Sequence, residues 1–171
     1  MKTNKHKQVF HLFLIFIALF FLSACSQTKN ADGSNTPIGL DTSISNNHWR
    51  FNPTSAMPQK GSSRMVDASY FVSLVGDSLS VYLPYYGTNY GSSDILSGKN
   101  PLDFNTNKIV LSKSHGKNNA WEIQVQPKGH DPVDLMDFKF YTNGMASLYI
   151  RFVSRSSISY NGTVQAINNN K

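Results

Sequence analysis

Four tyrosines, Tyr82, Tyr85, Tyr86 and Tyr90, gather around Pro84 and Gly87 in the stretch YFVSLVGDSLSVYLPYYGTNYG, residues 70–91. A phenol ring is apolar along its body and wet at its hydroxyl tip, so such a cluster suits a peptide, glycan or lipid interface. Loops that follow a proline-broken strand expose side chains in ways that paired strands do not, and binding residues concentrate on such loops. Tyr85, Tyr86 and Tyr90 are therefore the candidate ligand or partner surface, with Tyr86 and Tyr90 lining an accessible patch. Tyr82 and Tyr160 are read as packing residues.

Catalysis finds less support. His48, His115 and His130 are the histidines available as bases beyond the N-terminal region, and no G-x-S-x-G elbow accompanies them. His130 could join Asp131, Asp134 or Asp137 around a metal, but no H-E-x-x-H or paired-cysteine spacing supports it, and strand alternation sets Asp134 and Asp137 on opposite faces. Neither a phosphate-binding loop nor a dinucleotide fingerprint occurs, so no catalytic residue, metal or cofactor is assigned. The competing enzyme reading is a hydrolase of envelope or dietary glycans. It would use carboxylates such as Asp94 or Asp103 near the tyrosine loop as acid and base, facing each other across a cleft.

Cys25 is the one cysteine, which excludes a disulfide within the chain. It follows Lys2, Lys5 and Lys7 and an apolar run, 9–22, that is broken only by His11. That run is too short for a membrane-spanning helix and suits the core of a secretory signal. The ending Leu22-Ser23-Ala24-Cys25 resembles the bacterial lipoprotein box, in which small residues precede a cysteine whose thiol receives the lipid. The expectation is a signal peptide over 1–24 and a mature chain held in the membrane by an acylated, palmitate-bearing Cys25. Residues 25–47, rich in Ser, Thr, Asn and Gly, read as a disordered tether. Lacking an acidic cluster close behind Cys25, the chain is placed at the outer membrane, facing the periplasm.

Of the formal +6, three charges lie in the leader; 13 basic against 10 acidic residues remain, about +3 and scattered. Nucleic acid, which selects a concentrated basic face, is excluded as a partner. With 40% hydrophobic and 12% aromatic residues, the rest of the 171-residue chain can build one core.

The elements positioning these residues read as strands. Trp49 and Phe51 alternate with His48 and Arg50; Pro53 and Pro58 then break the chain into a loop through Gly61. A strand from Val66 to Val75 and a second carrying Leu79, Val81 and Leu83 flank a Gly76-Asp77 turn. A long loop, 87–105, follows Pro84. Lys108–Lys113, Trp121–Gln126, Met136–Phe140, Ala146–Phe152 and Ile158–Ile167 alternate apolar with polar residues, and Asn143-Gly144 marks a hairpin turn. The expected fold is all-β over 48–167, an antiparallel sandwich or barrel-like meander of seven to eight strands, with 168–171 frayed.

Residues 49–164 resemble the Bacteroidetes lipoprotein family catalogued as domain of unknown function 4251. The resemblance rests on Phe51, Ala56, Pro58 and Gly61, then Gly76-Asp77-Ser78 and Tyr82-Leu83-Pro84-Tyr85 with Gly87 and Tyr90. It continues through Asn143-Gly144, Ala146 and Leu148 to Ile158-Ser159-Tyr160 and Gly162. Thr88-Asn89 stands where the family usually has Arg-Ala, and the polar tether replaces a charged helical lead-in. The resemblance implies a lipid-anchored β-domain and no assigned activity. The sequence reading is thus a non-catalytic binding or structural module of the cell envelope, with an envelope protein, a peptide or a glycan as its partner.

Overall fold

Ten strands form one antiparallel sheet in the computed structural model, which describes residues 39–90, 99–129 and 132–167. In chain order they are β1 (His48–Pro58), β2 (Arg64–Met65), β3 (Phe71–Val75), β4 (Ser78–Tyr82) and β5 (Asp103–Thr106). There follow β6 (Ile109–His115), β7 (Trp121–Pro127), β8 (Val133–Phe140), β9 (Met145–Phe152) and β10 (Ile158–Ala166). The order across the sheet is β5-β4-β3-β1-β10-β9-β8-β7-β6, with β2 paired to β1 off this path. The leader, Cys25, Asp94, His130, Asp131 and residues 168–171 lie outside the described residues.

The sheet is curled into a nearly closed barrel, and two observations show why it must be. Outermost strands of a flat nine-strand path would stand about 38 Å apart at about 4.8 Å per step. Yet β5 and β6 are joined by Asn107 and Lys108 alone, a link that reaches about 11 Å at most. Likewise Trp49 on β1 and Phe138 on β8 are three strands apart, about 14 Å in a flat sheet, but their ring centroids meet at 5.0 Å. Trp49 also meets Phe140 edge-on at 4.9 Å, and Phe51 meets Phe138 at 6.2 Å. The inner face is the core: Trp49, Phe51, Val72, Leu74, Phe138 and Tyr160 are among its fully buried members.

The expected alternation holds through β3, β4, β7, β9 and β10 and along β8 from Met136, and the turns follow from local chemistry. Gly76 at φ 60° opens the two-residue turn between Val75 and Ser78, the backbone that a tight hairpin needs at its first central position. The Asn143-Gly144 hairpin has a three-residue loop, in which the Gly144 N–H donates to the Tyr141 carbonyl at 2.9 Å and Gly144 takes φ 81°.

Three boundaries differ from the sequence expectation. Strand β1 does not stop before Pro53 but runs to Pro58, because Pro53 sits at a register shift against β10 and in the gap between the β3 and β2 pairings. A missing N–H is tolerated at such a bulge. The strand expected over 66–75 starts only at Phe71, because the Asp67 carboxylate accepts the Ser69 N–H at 2.9 Å and Tyr70 N–H bonds back to the Asp67 carbonyl. That turn competes with strand pairing. The long loop after Pro84 is shortened by β5, where Phe104, with Leu102 just before the strand, enters the core.

The fourth difference is a helix, α1 (Leu40–Ser45), inside the stretch read as polar tether. Leu40 and Ile44, one turn apart, share a face and are 1% and 2% exposed, packed against β1 and β10. The other arm of the sheet holds the same helix by hydrogen bonds. Trp121 Nε1 on β7 donates to Asp41 Oδ1 at 2.7 Å. Lys113 Nζ on β6 donates to the Ser45 carbonyl at 2.6 Å and to Asn47 Oδ1 at 2.7 Å, and desolvation pushes its pKa down. One helical turn thus ties together strands from both halves of the sheet.

Replacing Leu40 or Ile44 by Ala should therefore destabilise the domain by about 2–4 kcal/mol each, the range for truncated buried aliphatics. Urea denaturation of the full chain checks this. A tether would register no change, so midpoints matching wild type would remove α1 from the folded unit.

Candidate functional site

The tyrosine segment is built as a clasp against the loop between β9 and β10. The Tyr85 hydroxyl donates to the Ser156 carbonyl at 2.8 Å. Its single proton is then spent, so the Ser156 hydroxyl supplies the proton of the 3.1 Å contact between the two Oη and Oγ atoms. Ser156 Oγ in turn accepts the Thr88 N–H at 2.8 Å. Backbone bonds from Tyr90 N–H to the Ser154 carbonyl and from Ser156 N–H to the Thr88 carbonyl complete the seam. Gly87 is required here, because a Cβ at this position would collide with the Tyr85 hydroxyl and Ser156 Oγ.

Tyr85 also packs edge-on against Phe152 at 5.0 Å, and burial raises its phenol pKa. Tyr160 closes the segment from below. It is fully buried and donates to the Pro84 carbonyl at 2.7 Å. Desolvation, followed by the neighbouring Tyr86 and Tyr85, drives its pKa far up.

The expected patch is thereby divided. Tyr85 is an anchor, Tyr86 is half-buried beneath the Arg64 guanidinium at 4.8 Å from its ring, and Tyr90 is 62% exposed. Tyr160 packs as expected; Tyr82 instead faces outward, stacked on Tyr70 at 4.8 Å. Of the other candidates, His48 Nδ1 donates to the Asn46 carbonyl at 2.7 Å and the His115 ring lies against Trp121 at 3.9 Å. Asp103 is exposed on β5. The register shift on β8 beside Val133 brings Asp134 to Arg151 on β9, at 2.6 Å, overriding simple alternation there. Among the described residues no three His, Cys, Asp or Glu side chains stand close enough to hold a metal ion.

A second site was not expected. The outer face of β6–β10 is recessed into a groove of about 550 Å³ that reaches β1. Two cross-strand rows floor it, each made of residues directly opposite one another. One row is Ser112, Gln124, Asp137, Tyr149, Ser159 and Met57. The other is Ser114, Glu122, Lys139, Ser147 and Asn161. Serines make shallow positions between longer side chains. Glu122 and Lys139 form an ion pair at 3.2 Å, and the Tyr149 hydroxyl is fixed by a 3.0 Å bond to Ser157 Oγ. Met57 apart, each of these residues is visible in the sequence as the outward member of an alternating strand. What sequence lacks is the register that aligns residues of six strands into two rows.

Two consequences of the clasp can be measured. Tyr85→Ala should cost about 3 kcal/mol or more in urea denaturation, as truncated buried aromatics do, while Tyr90→Ala should stay within about 0.5 kcal/mol. Because folding raises the Tyr160 pKa, its contribution to stability is complete below its unfolded value near 10 and lost as pH climbs beyond it. Absorbance titration at 295 nm should show Tyr160 ionising together with alkaline unfolding, not before. The Tyr160→Phe variant should lose that coupled phase.

No curated protein matches this chain. A solved structure does: the crystal structure of a DUF4251 family protein from Bacteroides eggerthii DSM 20697 is similar over 78% of this chain and 87% of that one, with a TM-score of 0.52 and 10% identity. At that identity the likeness speaks for the fold. The family model "Domain of unknown function (DUF4251)" matches residues 38–164, which takes in helix α1 as well as the sheet, and the chain belongs to the DUF4251 family.

Proposed function

We propose that this protein is a non-catalytic binding module of the bacterial cell envelope, anchored to the membrane through an acylated Cys25 and contacting its ligand on the outer face of the β6–β10 sheet. The observation that carries the binding reading is the groove. Outer faces of curled sheets are ordinarily convex, whereas this one is recessed across six strands and lined, Met57 and Leu148 apart, by hydrogen-bonding side chains. The anchor is supported by the Leu22-Ser23-Ala24-Cys25 ending after a basic and apolar leader, and by the lack of any second cysteine with which Cys25 could pair. Tyr90, the exposed member of the tyrosine segment, is a secondary contact in this reading.

Hydrolysis of glycans is the second reading, and one observation favours it. Glu122 and Asp137 occupy diagonal positions on neighbouring strands of the groove floor, which in antiparallel sheets places Cα atoms about 7–8 Å apart. Both rise from the same wall, however, and Glu122 is engaged by Lys139. Acid and base in glycoside hydrolysis flank the bond from two sides, so binding without cleavage is the better reading.

The anchor is tested by metabolic labelling with palmitate and membrane fractionation of wild type and Cys25→Ser. Wild type should be labelled, shortened and membrane-bound; the variant should lose the label and remain unprocessed. Normal processing and full membrane retention of Cys25→Ser would refute lipid anchoring.

A further inference from the structure

We infer that the groove on the outer face of β6–β10 is a binding site for a single unbranched chain of uncharged sugars. This rests on the reading of that face as the ligand surface and adds the chemical class of the ligand.

The shape comes first. Six strands at about 4.8 Å per step give a floor about 24 Å long, and its two rows, two residues apart along each strand, lie about 7 Å apart. The site is long and narrow, suited to a linear polymer one ring wide.

The charge excludes polyanions. Lys139 is the one cation of the two rows and is paired with Glu122, while Asp137 adds a further negative charge. A phosphate-rich or uronate-rich chain would meet a floor with no cationic surplus.

Peptides are disfavoured by backbone accounting. Extended peptides gain affinity by adding a strand to a free sheet edge. Strands β7, β8, β9 and β10 are paired on both sides, so the floor offers side chains and no main-chain ladder.

What remains matches hydroxyl groups, which both donate and accept. The amides of Gln124 and Asn161 and the serine hydroxyls do likewise, and the carboxylates of Asp137 and Glu122 accept from neighbouring hydroxyls. Tyr149, 43% exposed near the middle of its row, offers a ring against which the C–H face of a sugar can lie. Its hydroxyl is already fixed by Ser157, so binding orders little that is loose.

The test uses the full-length chain in detergent, titrated calorimetrically with five uncharged hexasaccharides: cello-, xylo-, laminari-, manno- and maltohexaose. Polygalacturonate and a pool of extended hexapeptides serve as competing classes. At least one hexasaccharide should bind. Ser147→Trp, which fills the floor, should abolish that binding, as should Ser159→Trp on the adjoining strand, made in case the first disturbs folding. Gln124→Ala and Tyr149→Ala should each weaken it by about tenfold, the scale of one or two lost uncharged contacts. Binding of none of the five sugars overturns the assignment to neutral glycans. If polygalacturonate or peptide binds instead and Ser147→Trp blocks it, the ligand class is wrong and the groove survives as the site. If no binding in the panel responds to either tryptophan, the groove itself is refuted.

Discussion

The two-residue connection from Thr106 to Ile109 constrains everything else in this domain. It joins the strands at opposite ends of a nine-strand path, so the sheet has to return on itself within the reach of Asn107 and Lys108. Curling brings the inner faces of β1 and β8 together, and the large rings at Trp49, Phe51, Phe138 and Phe140 fill the space between them. Aromatic pairs at edge-on geometry add about 0.5–1.5 kcal/mol each beyond the area they bury. Topology and side-chain volume are therefore matched: smaller residues at these positions would leave voids, and a flatter sheet would expose the rings.

Two devices hold the curl, and both cross between parts of the sheet remote in sequence. Helix α1 packs Leu40 and Ile44 on β1 and β10 while Lys113 and Trp121 reach it from β6 and β7. The Tyr85–Ser156 clasp and the Tyr160–Pro84 bond fasten the end of β4 to the start of β10. The tyrosine cluster that looks in the sequence like a binding loop is chiefly the second of these devices. A tyrosine serves such a seam well because its ring packs on Phe152 while its hydroxyl satisfies backbone carbonyls that burial would otherwise leave unpaired.

Strand identity was legible because alternation is local. Val72 and Leu74, Leu79 and Val81, Ile123 and Val125, and Phe138 and Phe140 all turn inward, as their spacing demands. Helix α1 was not, since Leu40 and Ile44 are a single i, i+4 pair among Ser, Thr and Asn, too short a period to outweigh a disordered composition. Pro53 misled for a different reason. It reads as a strand breaker, yet the missing donor falls where β1 is between partners. The groove lay furthest from view, because it depends on which residue of one strand stands opposite which residue of the next, and no single segment carries that information. For the tyrosines the sequence identified the right segment and the structure divided its roles: Tyr90 outward, Tyr85 inward, Tyr86 between.

The period of two along β7–β10 separates two sets of demands on the same backbone. On these strands the groove residues alternate with core residues: Gln124 lies between Ile123 and Val125, and Ser147 between Ala146 and Leu148. A substitution at the outer position changes the chemistry offered to solvent without altering the packed volume beneath it. The inner positions can equally be repacked without touching the groove. Descendants of one ancestral sheet can on that account drift apart in surface chemistry at nearly every second residue and still close the same barrel. A fold built this way keeps its shape while little of its sequence stays in common.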